Sequence, residues 1–174
     1  RDNGPMAPAR LMPLFLQVLE SLAAGHDLGI VHKDLKPSNL FLSYPGTSRE
    51  SMKLLDYGVA RVDSEDGSGR MTATGGFIGT PQYLAPEYIA DNTVVTPALD
   101  VYQMGLILAE LLTGRPVVDE DNAMRCIVIH SSGELAIHRS LVTEPLGPVL
   151  RRSISPDPRR RYADAREFAA ALRD

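Results

Sequence analysis

The chain has 174 residues and a mass of 19.0 kDa, about one domain and enough to bury a real core. Hydrophobic content of 44% and charged content of 23% exclude wholesale disorder. A net charge of −4, from 18 basic and 22 acidic residues, argues against a nucleic-acid or membrane-surface binder, which needs a basic excess.

The single cysteine, Cys126, leaves no intramolecular disulfide framework and no cysteine-rich zinc site, and fits a reducing compartment. No apolar run approaches the roughly 20 residues of a membrane span. Pro5, Pro8 and Pro13 interrupt the one stretch a leader peptide would need. The sequence starts at Arg1 in mid-pattern and reads as a piece of something longer.

In chain order, residues 8–26 place Leu11, Leu14, Phe15, Val18, Leu19 and Leu22 at three- and four-residue spacing, an amphipathic helix closed by Gly25 and Gly29. Three strand-length apolar bursts follow: Ile30-Val31, Leu40–Leu42 and Met52–Leu55. The second and third are joined by the turn-rich residues 43–51. Asp63 to Gly76, rich in Gly, Ser and Thr, reads as a flexible surface loop. Leu99 to Leu112 is apolar nearly all round and predicts a buried helix, ended by Gly114 and Pro116. Further helices are expected near 121–130, 144–152 and 162–172, the last with Ala165, Phe168, Ala169 and Leu172 on one face. The expected body is mainly helical, with two or three short hairpins on one edge.

The informative stretch is His32-Lys33-Asp34-Leu35-Lys36-Pro37-Ser38-Asn39, followed seventeen residues after Asn39 by Asp56-Tyr57-Gly58. It offers two carboxylates, an amine and an amide that can converge. Phosphoryl transfer to a hydroxyl needs those groups: a base, a cation for the moving phosphoryl group, and hard oxygen ligands for Mg²⁺.

HKDLKPSN resembles the catalytic loop of protein kinases, DYG their metal-binding DFG, and Leu84 to Glu87 their APE motif. Gly79-Thr80-Pro81, Asp100 and Asp157-Pro158 with Arg161 follow in the family's order. The wording of GTPQYLAPE and LAELLTGRP is most similar to bacterial serine/threonine kinases.

The resemblance implies that Asp34 receives or orients the substrate hydroxyl proton, Lys36 neutralises the transferring phosphate, and Asn39 and Asp56 hold Mg²⁺. It implies that Thr80 contacts the catalytic aspartate and lysine, that His32 supports the loop, and that Asp100 holds the loop backbone. Glu87 and Arg161 are implied as a buried ion pair. Substrate would lie along Gly79 to Ala85. Lys33 stands where the family usually has Arg, whose forked contact to a phosphorylated activation loop Lys does not copy. That leaves open whether phosphorylation, with Thr72 and Thr74 as candidate acceptors, is needed. No glycine-rich loop, nucleotide-binding strand lysine or helix C glutamate precedes the catalytic loop.

The expectation is therefore a mainly α C-terminal kinase lobe over residues 1–174, α+β as part of a whole kinase, with the activation segment at 56–87. ATP and Mg²⁺ are the implied cofactors. A protein carrying Ser or Thr is the implied substrate, and an N-terminal lobe from the same protein the implied partner. No nucleic-acid or membrane contact is expected of this segment, the expected location is cytoplasmic, and the oligomeric state stays open. A face left exposed and apolar should mark where the N-terminal lobe sits.

A non-catalytic pseudokinase scaffold is the alternative, opposed by the joint presence of Asp34, Lys36, Asn39 and Asp56. A small-molecule kinase of the aminoglycoside-phosphotransferase type would lack the GTPQYLAPE segment. Plainer readings cover the rest: metal ligation by His26, His32 and Asp34 is disfavoured, Cys126 is a core residue, and Arg151, Arg152, Arg159 and Arg160 form a solvated face. His130 and His138 carry no assigned role.

Overall fold

Helix α1 (Pro8–Asp27) buries all six of its periodic apolar residues and starts with Pro8 in its first turn, where the missing N–H costs nothing. It stops where Ile30 N–H and Leu28 N–H turn back to the Gly25 carbonyl, with Gly29 left-handed at φ 74°. Gly25 itself is a buried helix residue and not a stop. The computed structural model describes residues 4–56, 80–91, 95–142 and 145–174. The 63–76 loop, Tyr57, Gly58, Thr72, Thr74 and Gly79 lie outside them.

Ile30-Val31 is not a strand. Two β-branched residues form one only against a partner, and none is present among the described residues. Among those residues the sheet is a single antiparallel hairpin, β1 (Leu40–Ser43) with β2 (Ser51–Leu54), in the register Leu40 to Leu54. Leu42 and Met52 face α1, whose Gln17 side-chain oxygen accepts the Met52 N–H at 3.0 Å. Phe41, Lys53 and Leu55 face outward, with Phe41 53% exposed.

Helix α2 (Pro86–Ala90) leads into α3 (Pro97–Thr113), the spine of the molecule. Every residue of α3 from Ala98 to Ala109 is buried, including Asp100 and Gln103. Gly114 at φ 72° caps it. Around it lie α1, α5 (Leu146–Ser153) and α6 (Ala165–Arg173), while α4 (Ala123–Ser132) packs on α2. A Cβ on Gly105 would sit 2.4 Å from Ser153 Oγ, so α3 and the end of α5 meet where a side chain is missing.

Helix α6 begins three residues later than the periodicity suggests, because Asp164 caps it by accepting the Glu167 N–H at 2.9 Å. Tyr162 instead stacks on Phe168 at 5.3 Å beneath the Arg152 guanidinium. Helices and one small hairpin make this a mainly helical body, as the apolar periodicity predicts. No helix among the described residues is long and apolar enough to cross a membrane.

Candidate active site

The segment from Val31 to Lys36 has no regular secondary structure, so its backbone polar groups need partners from elsewhere. Helix α3 supplies them. The buried Asp100 carboxylate accepts the His32 N–H at 2.8 Å and the Lys33 N–H at 2.9 Å. A third donor, His26 Nε2, reaches Asp100 at 3.0 Å. His26 Nδ1 accepts the Ala165 N–H at the start of α6, so the network places the ring proton on Nε2, facing the carboxylate. One turn on, Gln103 accepts the Leu35 N–H at 3.0 Å.

Lys33 is held at φ 70° and Asp56 at φ 52°, left-handed values that L side chains adopt only when surroundings enforce them. Both lie at this site. His32 is buried and joins them: its Nδ1 accepts the Asp34 N–H and its Nε2 donates to the Leu55 carbonyl, each at 3.4 Å. Leu55 N–H in turn donates to the Asn39 carbonyl at 2.8 Å, continuing the hairpin register. Asn39 and Asp56 thus leave the same end of the hairpin.

Asp34 and Lys36 point away from the pinned backbone and meet at 3.2 Å, both partly exposed. Lys36 lines a cavity of about 690 Å³ with Thr80, Tyr83 and Glu110. Thr80 precedes the turn Pro81–Tyr83. There the Tyr83 hydroxyl donates to Glu110, whose burial raises its carboxyl above the ordinary range.

Asn39 Oδ1 is buried with no hydrogen-bond partner among the described residues. An orphaned amide oxygen at the hairpin end that also carries the Asp56 carboxylate offers hard oxygens of the kind Mg²⁺ takes when phosphates and waters complete its shell. Among the described residues no three His, Cys, Asp or Glu side chains gather to cage a metal by themselves.

The base of the Thr80–Ala90 segment is anchored differently. The side chain of Arg161, fully buried, forks onto both Glu87 oxygens at 2.7 Å. Its remaining three N–H groups reach the Ser155, Ala98 and Pro156 carbonyls, so all five donors are used. The guanidinium lies 4.5 Å from the Tyr102 ring centre. Tyr102 bonds His130 Nδ1 at 2.8 Å, and burial pushes the His130 pKa down to about 4 despite the nearby Pro81 and Gln82 carbonyls.

Cys126 is buried, and Arg151, Arg152, Arg159 and Arg160 are exposed. Sequence reasoning missed His26, Gln103, Tyr102 and His130, whose partners are 20 to 139 positions away along the chain. Their sequence neighbourhoods hold no signal for those contacts.

The comparisons with known proteins agree with this geometry. The family described as protein kinase domain matches residues 1–169. The chain is 39% identical over 173 residues to serine/threonine-protein kinase PkaA of Streptomyces coelicolor, covering 99% of the chain and 31% of that protein. It is 36% identical to serine/threonine-protein kinase pkn2 of Myxococcus xanthus, over 97% of the chain and 21% of the relative. With serine/threonine-protein kinase PknB of Mycolicibacterium smegmatis the identity is 32%, over 98% and 27%. The chain therefore spans between a fifth and a third of these relatives' length. A loop pinned by a buried aspartate, an orphaned asparagine oxygen at the hairpin end and a match over nearly the whole chain lead to one family: this chain belongs to the protein kinases, in their bacterial serine/threonine branch.

Proposed function

We propose that this chain is the C-terminal lobe of a protein kinase that transfers the γ-phosphoryl group of ATP to Ser or Thr hydroxyls of proteins. The observation that carries the reading is the Asp34–Lys36 pair, its lysine lining a cavity, on a loop whose backbone is fixed at three N–H groups. When bound, Mg·ATP supplies the phosphoryl group and the charge neutralisation of its phosphates. Asn39 and Asp56 hold the metal through hard oxygens. Asp34 takes up or orients the proton of the incoming hydroxyl, within reach of Lys36 Nζ, which offsets charge on the phosphoryl group.

Thr80 and the Pro81–Tyr83 turn form the wall along which the acceptor segment lies. Phe41 on the hairpin and Leu55 just past its end, both exposed, offer an apolar face suited to a nucleotide base and to the N-terminal lobe. That lobe supplies the phosphate clamp, so the 174 residues alone are inactive. The lobe works in the cytoplasm, and Ser/Thr-bearing proteins are its substrates.

The test uses the native gene product. Its intact mass and peptide map should reveal a preceding segment with a glycine-rich loop and a phosphate-binding lysine. It should label Ser/Thr peptides from γ-labelled ATP. Equal rates for wild type and Asp34→Asn would overturn the assignment, and robust turnover by the isolated 174 residues would refute the dependence on a second lobe.

A further inference from the structure

Gln103 is 2% exposed in the middle of the buried Ala98–Ala109 stretch of α3, which is apolar apart from it, Asp100 and the Tyr102 hydroxyl. A neutral amide there is costly unless every polar atom is satisfied. Each one is. Its Oε1 accepts the Leu35 N–H at 3.0 Å, and its Nε2 donates to the Lys33 carbonyl at 3.2 Å and to the Tyr83 carbonyl at 3.1 Å. Two of these three partners belong to the loop carrying Asp34 and Lys36. The third belongs to the turn that follows Thr80 and lines the same cavity.

We infer that Gln103 is a positioning residue that sets the distance between the catalytic loop and the acceptor-binding wall. The reasoning is geometric. Asp100 fixes the Lys33 N–H and Gln103 the Lys33 C=O, so the left-handed Lys33 is clamped at both of its backbone polar groups. The remaining Nε2 proton carries that clamp across to Tyr83. Among the described residues no other α3 side chain bonds to both segments: of the two, Asp100 reaches only the loop and Glu110 only Tyr83. A hydrogen-bonded amide is suited to this because it donates and accepts at once, which a carboxylate, a serine or an apolar side chain does not do at that reach. The inference rests on the kinase reading for its effect on rate, and on the hydrogen bonds alone for its effect on structure.

The experiment compares Gln103→Met, close in volume and without hydrogen-bond donors, with Gln103→Glu in the native gene product. The glutamate keeps an oxygen for the Leu35 N–H but brings no donor to the Lys33 and Tyr83 carbonyls. Both are assayed well below their unfolding transitions. Gln103→Met should lower kcat about 10–100-fold with the KM for ATP within twofold, as expected when reacting groups drift by a fraction of an ångström. Gln103→Glu should lose at least as much. A glutamate variant with wild-type kcat, or a loss that only tracks the fraction of folded protein, would overturn the inference. Amide exchange at Leu35, measured by NMR, should quicken at least tenfold in Gln103→Met, and an unchanged rate would overturn the bridge. Exchange needs no phosphotransfer, so an inactive wild-type protein would defeat the kinase reading while the exchange result still judges Gln103.

Discussion

The irregular catalytic loop and the Thr80–Ala90 segment, a short turn followed by α2, are fastened by opposite means. The loop is held by its main chain: His32, Lys33 and Leu35 N–H groups go to Asp100 and Gln103, and the Lys33 carbonyl to Gln103. Its Asp34 and Lys36 side chains remain partly exposed, and Lys36 lines the cavity. The segment is held mainly by its side chains, Tyr83 on Glu110 and Glu87 on Arg161. The difference teaches where chemistry and stability separate. A loop pinned at its backbone can change its reacting side chains and stay folded, whereas the segment cannot lose its side chains without loosening.

The sharpest way to break this contrast is at Arg161. Replacing it by Met strands Glu87 and three carbonyls, and should cost about 3–5 kcal/mol of stability in denaturant unfolding. A loss below about 1 kcal/mol would remove the distinction. Asp34→Asn should do the reverse, lowering kcat by roughly 10²-fold or more while leaving the unfolding midpoint nearly unchanged. A large drop in midpoint would show that the loop depends on its side chains after all. Between these lies Asp100→Asn, which turns one acceptor oxygen into a donor facing N–H groups. It should cost about 2 kcal/mol and slow phosphotransfer together, seen by unfolding and kinetics on the same samples.

The smallest effect belongs to His130, behind the Pro81–Tyr83 turn. Its folded pKa of about 4 lies below the ordinary 6.5, so the unfolded chain binds its proton more readily. Its contribution is therefore complete above pH 6.5 and fades as pH falls toward 4. By pH 5.5 the wild type should have lost about 1 kcal/mol relative to its value near neutrality. His130→Gln should lose that much less, and parallel pH profiles of the two would contradict the placement.

Legibility in the sequence followed the range of the interaction. Helices α1 and α3 are readable because their apolar spacing is local, and the Glu87–Arg161 pair and the Asp100 contacts to the loop because those residues sit in ordered motifs. His26 and Gln103 are not. Gln103 meets only main-chain atoms, and His26 a main-chain N–H and one distant carboxylate; a main-chain atom leaves no mark on the sequence. Ile30-Val31 misled for a related reason, since a strand exists only with a neighbour, and that stretch follows a left-handed glycine that closes a helix.

Asp100, Gln103 and Glu110 share one face of α3. At 100° per residue they fall within an arc of roughly 80°, and at 1.5 Å per residue they span about 15 Å. The site is thus ruled along a single rod, buried from Ala98 to Ala109, with the loop tied near one end and the acceptor wall toward the other. A rod of this kind does not stretch, so the spacing between those two attachments is a constant of the lobe. If the proposed phosphotransfer runs at this site, control over its rate has to come from parts that are not fastened to the rod.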